Sequence, residues 1–440
     1  MTQVIKITKG MNIDLVGRPR AVTKPAISSP FYTVFPEDFP GLTPKVAVKE
    51  GDMVLSGTPV MYDKNRPEIK IVAPVSGRIT AIRRGEKRRL LSIVIEAERR
   101  NRYVDMGPKV RSLTPEDVRQ TLAEAGLLAL IRQRPYDVIA DPGTWPRDIF
   151  VQGFSSAPLA PDAEYLIRGR EEDMQAGLTA LAALVPSGYV YLALRPEHAA
   201  KGLYYIRRVH ALIVEGPHPA GNASVQISQV HPVSKGETVW TIALSDVLII
   251  GRLFNTGLVD MTRLVALTGS EVNEEDRAYY PMIAGAGIAP LVRSRVSEGI
   301  PLRYISGNVL TGTQIASDGA LHARDNQVTV IPEGSETHDF LGWIKPLLTQ
   351  RNRIVDARVK GGQRAMILSN EWDKVFPMDI LPEFLIRAIL AGDYDKMERL
   401  GIYEVAPEDF ALCEYVDASK MELQQLVRRG LDLLYKEMNG

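Results

Sequence analysis

The 440-residue sequence predicts a multidomain α+β protein: a small β domain, an α/β layer, a second β-rich segment and a C-terminal helical bundle. Three observations carry that prediction. A pattern of strand, glycine turn and strand occurs twice before residue 105. From residue 106, stretches of strand and helix character alternate. The C-terminal hundred or so residues end in four amphipathic stretches joined by short breaks. Alternating strands and helices argue for a parallel sheet, and consecutive short helices argue for a bundle.

Residues 1–105 read as all-β. MTQVIKITKG alternates apolar and polar residues like a strand and lacks the apolar region and cleavage site of a signal peptide. KVAVKEGDMVL gives a strand, a turn at Gly51 and a strand, and IKIVAPVSGRITAI repeats the pattern with Gly77 in the turn. RRGEKRRLLSIVIEAE then forms a hairpin tipped by Arg83, Arg84, Lys87, Arg88 and Arg89. Two similar halves suggest a small flattened barrel or sandwich.

Residues 106–255 read as the α/β layer. A helix over 115–131 opens with Thr114 as N-cap, Pro115 in the first position, and Glu116 and Asp117 where the helix dipole favours carboxylates. AEYLI, EEDMQAGLTALAAL, GYVYLAL, PEHAAKG and ALIVE follow as strand, helix, strand, helix, strand. Residues 256–330 return to short strands, in TRLVALTGSEV, LRYISGNVLTG and QVTVI. Within 331–440, helices are expected in ILPEFLIRAILAG, DYDKMERLG, APEDFALCEYV and KMELQQLVRRGLDLLYKEM, the first two closing at Gly392 and Gly401.

Composition narrows the function. Lys+Arg and Asp+Glu number 53 each, so no overall field favours nucleic acid or an anionic membrane. The richest apolar stretches are broken by Pro186 and Gly188 and by Asp246, short of the roughly 18–20 apolar residues a bilayer span needs. Any work at a membrane is therefore that of a peripheral subunit. One cysteine, Cys413, excludes an internal disulfide and an all-cysteine metal or iron–sulfur site within the chain. It reads as a small buried hydrophobe on its helix.

No P-loop, GxGxxG, HExxH or GxSxG motif is present. GAGIAP places Pro290 where a third glycine would stand, and reads as a turn. His218 and His231 both precede proline, in settings that suit either a rigid loop or a ligand-facing position. RQRPY places Arg132 and Arg134 beside Tyr136: guanidiniums that suit an anion or a quinone carbonyl, and a ring that stacks on an aromatic ligand. The plainer reading is a solvated helix end. The cations of the hairpin tip are either solvated or dock on an acidic partner or lipid headgroups. A biotin- or lipoyl-carrying lysine would stand about seven residues before APVSG, where the sequence has Arg66. Lys64 lies close to that tip without the methionines that flank biotin acceptors.

The run DFPGLTPKVAVKEGDMVLSGTPVMYDK…VAPVSGRITAIRRGEKRRLLSIVIE resembles the N-terminal module of the NqrA family, the A-type subunits of the sodium-translocating NADH:quinone oxidoreductases. EGPHPAG, DVLIIGRLFNTG, ISGNVLTGT, FLGW, DKVFPMDILPEFLIRAILAGD, RLGIYEVAPEDFALCEYV and LQQLVRRGLDLLYKE extend the resemblance, in order, over nearly the whole chain. It implies a peripheral subunit on the cytoplasmic side of the bacterial inner membrane, docked to the other subunits and especially to the B-type membrane subunit. The implied complex uses NADH, FAD, FMN, riboflavin, iron–sulfur centres and quinone, and exports Na⁺. The implied parts are a biotinyl/lipoyl-like barrel without its carrier lysine, an α/β domain related to the flavin-binding fold of respiratory complex I, a β-grasp (SLBB-like) insertion, and a ferredoxin-like four-helix bundle without cluster cysteines.

The family is also similar to the C-type component of the Rnf complex and to the NADH-binding subunit of complex I, which hold a flavin with a glycine-rich loop and clusters with C-terminal cysteines. Here Leu127, Leu128, Leu130 and Ile131 stand in place of the glycine-rich loop, and Cys413 stands alone. The expectation is a subunit that holds no redox cofactor firmly, has no catalytic residues of its own, binds no metal, and contributes assembly contacts and quinone access. The quinone or partner candidates are Arg132, Arg134, Tyr136 and His218; the docking candidates are Arg83, Arg84, Lys87, Arg88 and Arg89. The competing expectations are a biotin or lipoyl carrier, an Rnf-type electron conduit, and a soluble small-molecule binding protein.

Overall fold

In the computed structural model, which describes residues 3–107, 113–199, 206–334, 356–358 and 362–439, strand β1 (Gln3–Lys6) leaves the β domain that follows it. It pairs in parallel with Leu212–Glu215 of the α/β layer. The reading of 1–105 as one all-β unit is corrected at this strand. Period-two alternation marks Ile5 and Ile7 for burial, but it carries no information about which sheet buries them.

Strands β2 (Phe31–Val34), β3 (Pro44–Val46), β4 (Met53–Val54), β5 (Pro59–Asp63), β6 (Lys70–Val72), β7 (Gly77–Arg84) and β8 (Leu90–Ala97) form the N-terminal barrel. Its two antiparallel sheets run β2-β8-β7-β4 and β3-β5-β6. Val60, Met61, Ile69, Ile79, Ile93 and Ile95 are fully buried in one core. At the carrier position, Arg66 folds back on buried Asp63, its Nε and Nη2 donating to Oδ2 at 3.2 and 3.0 Å. Lys64 beside it is exposed.

Helix α1 (Pro115–Glu124) starts as its sequence requires, with Thr114 Oγ1 accepting from the Asp117 N–H at 3.2 Å. It ends earlier than the expected residue 131. Gly126 adopts φ +72°, and a side chain there would stand 2.5 Å from Val72 Cγ1. The chain therefore turns, and Leu127–Leu130 form a single 3-10 turn with all four side chains in the core.

Next come β9 (Arg132–Arg134), β10 (Val138–Ile139), β11 (Ile149–Gln152), α2 (Ala163–Ile167), α3 (Glu171–Ala183), β12 (Val190–Leu194), α4 (Pro196–Ala199) and β13 (Val209–Glu215). The layer closes with α5 (Ala223–Val230), β14 (Val239–Ala243) and α6 (Leu244–Thr256). AEYLI, expected as a strand, is helix α2. Asp162 Oδ1 accepts from the Tyr165 N–H at 2.9 Å, and a cap decides what five mostly apolar residues leave open by periodicity. The sheet order is β1-β13-β12-β11-β14-β9-β10. The first five strands are parallel; β9 and β10 form an antiparallel edge.

Strands β15 (Thr262–Thr268), β16 (Tyr279–Ile283), β17 (Leu302–Ser306), β18 (Thr313–Ile315) and β19 (Gln327–Pro332), with the short α7 (Ala289–Val292), make a second β domain in the order β16-β15-β19-β17-β18. Helices α8 (Pro382–Ala391), α9 (Tyr394–Arg399), α10 (Ala411–Val416) and α11 (Leu423–Asn439) end the chain. Two apolar cores result. One joins the barrel to the five-stranded sheet through Tyr32, Val34, Val265, Tyr280 and Val330. The other joins the α/β layer to the C-terminal helices through Phe150, Ile250, Phe376, Phe410 and Leu431. Among the described residues no helix is long and apolar enough to cross a membrane. FLGW, which contributed to the family resemblance, lies outside the described residues.

Candidate functional site

From β11 through β12 to β13 the sheet grows in one direction, and β14 then returns to the opposite side of β11. Chain order thus reverses between β11 and β14, where loops leaving adjacent parallel strands diverge and open a crevice beyond their C-terminal ends. A cavity of about 170 Å³ lies there. Gln152 ends β11, Ser245 lies in the first turn of α6, and His218 and Asn222 precede α5; Arg324 and Glu408 reach the same cavity from beyond the α/β layer. Gly221 permits the close approach of the loop after β11: a side chain there would lie 2.6 Å from the Ser156 nitrogen. Its N–H donates to Ser156 Oγ at 2.8 Å.

The charges in this crevice are incompletely compensated. Arg263 Nη2 donates to Asp246 Oδ1 at 3.2 Å, both side chains being buried. Arg324 approaches the other carboxylate oxygen only to 3.9 Å. Burial and then the neighbouring Arg132 lower the Arg324 guanidinium to about 10, against the pull of Asp246. Burial, with Asp409 next to it, pushes Glu408 up to about 7. Asp409 is held in place by the Ala406 N–H at 2.7 Å and by Asn222 Nδ2 at 3.0 Å. Burial lowers His218 to about 4, so its ring is neutral near pH 7. Its Nδ1 lies 2.9 Å from Ser156 Oγ, and its Nε2 has no hydrogen-bond partner among the described residues.

RQRPY is not a helix end. Arg132 and Arg134 lie on β9, hydrogen-bonded into the sheet beside β14, and the expected solvated helix terminus is corrected accordingly. Arg134 is 2% exposed and pairs with Asp137 and with Ser224 Oγ, the latter at 3.3 Å. Arg132 Nη1 donates to Asp137 Oδ2 at 2.9 Å. Burial opposes ionisation of Asp137, yet the guanidiniums of Arg132, Arg134 and Arg428 hold it well below the usual carboxylate range. Tyr136 and Asp137 both take positive φ, +80° and +50°, a conformation costly for side-chain-bearing residues. It is fixed from outside, because Arg428 of α11 donates to the Tyr136 and Asp137 carbonyls at 2.7 and 3.0 Å. The Tyr136 ring meets Tyr403 and Tyr435 edge-on. The motif thus ties the α/β layer to the C-terminal helices.

Of the four quinone or partner candidates, His218 lines the cavity, whereas Arg132, Arg134 and Tyr136 belong to this neighbouring cluster. Arg83, Arg84, Lys87, Arg88 and Arg89 are all exposed at the β7–β8 tip, far in sequence from every cavity-lining group. Leu127, Leu128, Leu130 and Ile131 are at most 1% exposed. Cys413 is fully buried, and burial pushes its thiol up. Among the described residues no group of three or more histidine, cysteine and carboxylate side chains is placed to hold a metal. Sequence reasoning missed Ser156, Ser245, Arg324, Glu408 and Asp409. They come from separated segments without a shared motif, and the one local signal was PED (407–409) at a helix start.

Three family descriptions match the chain in order: an NqrA N-terminal barrel-sandwich hybrid domain over 5–98, an NqrA second alpha/beta domain over 113–259, and an NQRA C-terminal (SLBB) domain over 264–317. Proteins named as the A-type subunits of Na(+)-translocating NADH-quinone reductase are similar throughout. The one from Pasteurella multocida is 34% identical, with 99% of this chain and 100% of the relative covered. The one from Neisseria meningitidis serogroup A is 35% identical with the same coverage. A solved NAD+-reducing [NiFe]-hydrogenase chain is 13% identical at a TM-score of 0.41, covering 75% of this chain and 62% of its own, too weak a likeness to bear on function.

Proposed function

The chain belongs to the NqrA family, the A-type subunits of the Na(+)-translocating NADH-quinone reductases, and on that premise we propose that it is a peripheral, contact-making subunit of such a sodium pump. The observation that carries the proposal is the full-length, collinear similarity to proteins of that name. In this reading the complex passes electrons from NADH to a ubiquinone-type quinone and exports Na⁺. NADH, FAD, FMN, riboflavin, iron–sulfur centres and quinone serve the complex, while this chain holds no redox group firmly. It sits on the cytoplasmic side and docks chiefly on the B-type membrane subunit, with the exposed cations at 83–89 offered to an acidic partner surface.

A shared ancestry with the C-type Rnf component and with the NADH-binding subunit of complex I belongs to the same proposal, supported by the parallel sheet and its reversal point. The segment at 127–131 does not fit a flavin phosphate. Buried aliphatic side chains fill the space a backbone cradle would need. The redox role thus passes to other subunits, and Arg132, Arg134 and Tyr136 act on partners through the C-terminal helices they hold. His218 is the candidate for direct contact with a bound molecule. The test is the isolated chain, purified through gel filtration and assayed for flavin and iron. Substoichiometric amounts of both support the reading; one flavin or one cluster per chain refutes it.

A further inference from the structure

We propose that the crevice between β11 and β14 is a binding site for a small oxyanion of phosphate size, held by Arg324, His218 and the first turn of α6. This assignment does not depend on the pump reading. Size sets the ligand class: drug-sized ligands and cofactors occupy roughly 300–1,000 Å³, whereas this cavity measures about 170 Å³.

Three donors of different origin converge. Arg324 keeps 18% of its side chain exposed and reaches Asp246 only at 3.9 Å, beyond hydrogen-bonding distance, so its fork retains capacity for an anion. Ser245 is 5% exposed, and its Oγ has no partner among the described residues. It stands in the first turn of a 13-residue helix whose N-cap, Ala243, supplies no capping side chain. Unsatisfied N–H groups and the dipole at such a terminus favour negative charge.

His218 is 3% exposed, and its Nε2 lacks a partner among the described residues. Ser156 Oγ already accepts from Gly221 N–H, so its hydrogen is free to point at His218 Nδ1. With the Ser156 hydroxyl donating to Nδ1, the ring proton sits on Nε2, as a donor. An orphan donor, an orphan hydroxyl and an under-compensated guanidinium on one small cavity are what an oxyanion satisfies, because a buried polar group left unpaired loses its hydration without replacement.

Glu408 lines the same cavity and sets the pH dependence. The groups around it are Asp409 on its own turn, Arg134, Arg132 and Asp137 from the β9 region, Gln152 Nε2 at 3.4 Å, and Arg324. Protonated, its carboxyl is a further donor; ionised, it repels an anion. Binding is therefore tighter at pH 6 than at pH 8.

The test is isothermal titration of the full chain with inorganic phosphate, and separately with malonate, at constant ionic strength in chloride. Expected is saturable binding of one of them, which also identifies phosphate or carboxylate as the source. Arg324→Met should weaken it about tenfold or more, consistent with loss of a charge-assisted hydrogen bond. His218→Phe should weaken it less. No saturable heat with either anion on the unmodified chain, at both pH 6 and pH 8, overturns the proposal and leaves a water-filled crevice. So does binding that a folded Arg324→Met chain retains in full. Should that variant misfold, Ser245→Ala and His218→Phe decide by the same criterion.

Discussion

Asp137→Asn probes the joint between the α/β layer and the C-terminal helices. In the native chain one carboxylate, 4% exposed, compensates Arg132 at 2.9 Å and the buried Arg134 directly, and Arg428 at 3.9 Å. The asparagine keeps one oxygen acceptor and nearly the same volume but removes the charge, leaving Arg134 at 2% exposure with only the more distant Glu408 and Asp409 to compensate it. Breaking a buried pair from one side costs about 3–5 kcal/mol. The retained acceptor puts this change at the lower end, about 3 kcal/mol. For a cooperative unit of about 150–250 residues each kcal/mol moves Tm by about 2–4 °C, so scanning calorimetry at pH 7 should show a fall of about 6–12 °C. The loss should fall on the transition that unfolds the layer and the helices together, since they share one apolar core. The folded carboxyl lies below its unfolded range, so its contribution is complete at neutral pH and fades only as acid protonates it. A Tm within 1 °C of wild type would refute the reasoning.

Glu408→Gln and His218→Gln should alter the pH dependence of stability in opposite directions over nearly the same window. Glu408 titrates higher in the folded chain, about 7 against an ordinary 4.5, so folding gains from it at low pH and loses as pH rises between those values. Glu408→Gln should therefore be more stable than wild type at pH 8, by on the order of 1–3 kcal/mol, and indistinguishable near pH 4 in urea titrations. His218 titrates lower when folded, about 4 against 6.5, so stability falls as pH drops from 6.5 toward 4. His218→Gln should flatten that acid limb. Cys413→Ala should cost about 1 kcal/mol for the lost sulfur volume and leave quinone reductase activity of the assembled complex unchanged; lost activity in a folded variant would give the thiol a redox role.

Where the signal was local, the sequence was readable. The Thr114 cap, the turn at Gly51 and the β7–β8 hairpin follow from short stretches whose chemistry is complete within a few residues, whereas Gly77, expected in a turn, opens β7 and pairs in its ladder. Arg66 in place of a carrier lysine was visible too, though not its fixation by Asp63. The destination of β1, the nature of AEYLI and the early end of α1 depend on a distant strand, a single cap and the methyl groups of Val72. RQRPY illustrates the gap best: two arginines beside a tyrosine look solvated in sequence, and Asp137 and Arg428 make them a buried tie. Of the crevice only His218 was legible, because Gln152, His218, Ser245, Arg324 and Glu408 meet only once the sheet order is set.

The central claim, a contact subunit of a sodium-translocating NADH-quinone reductase, is met most directly by tagging this chain and purifying it from membranes in mild detergent. Quantitative mass spectrometry of the eluate should find the remaining reductase subunits in fixed ratio to the chain, accompanied by Na⁺-dependent oxidation of NADH by quinone. Elution of the chain alone, with that activity left in the unbound fraction, would contradict the account.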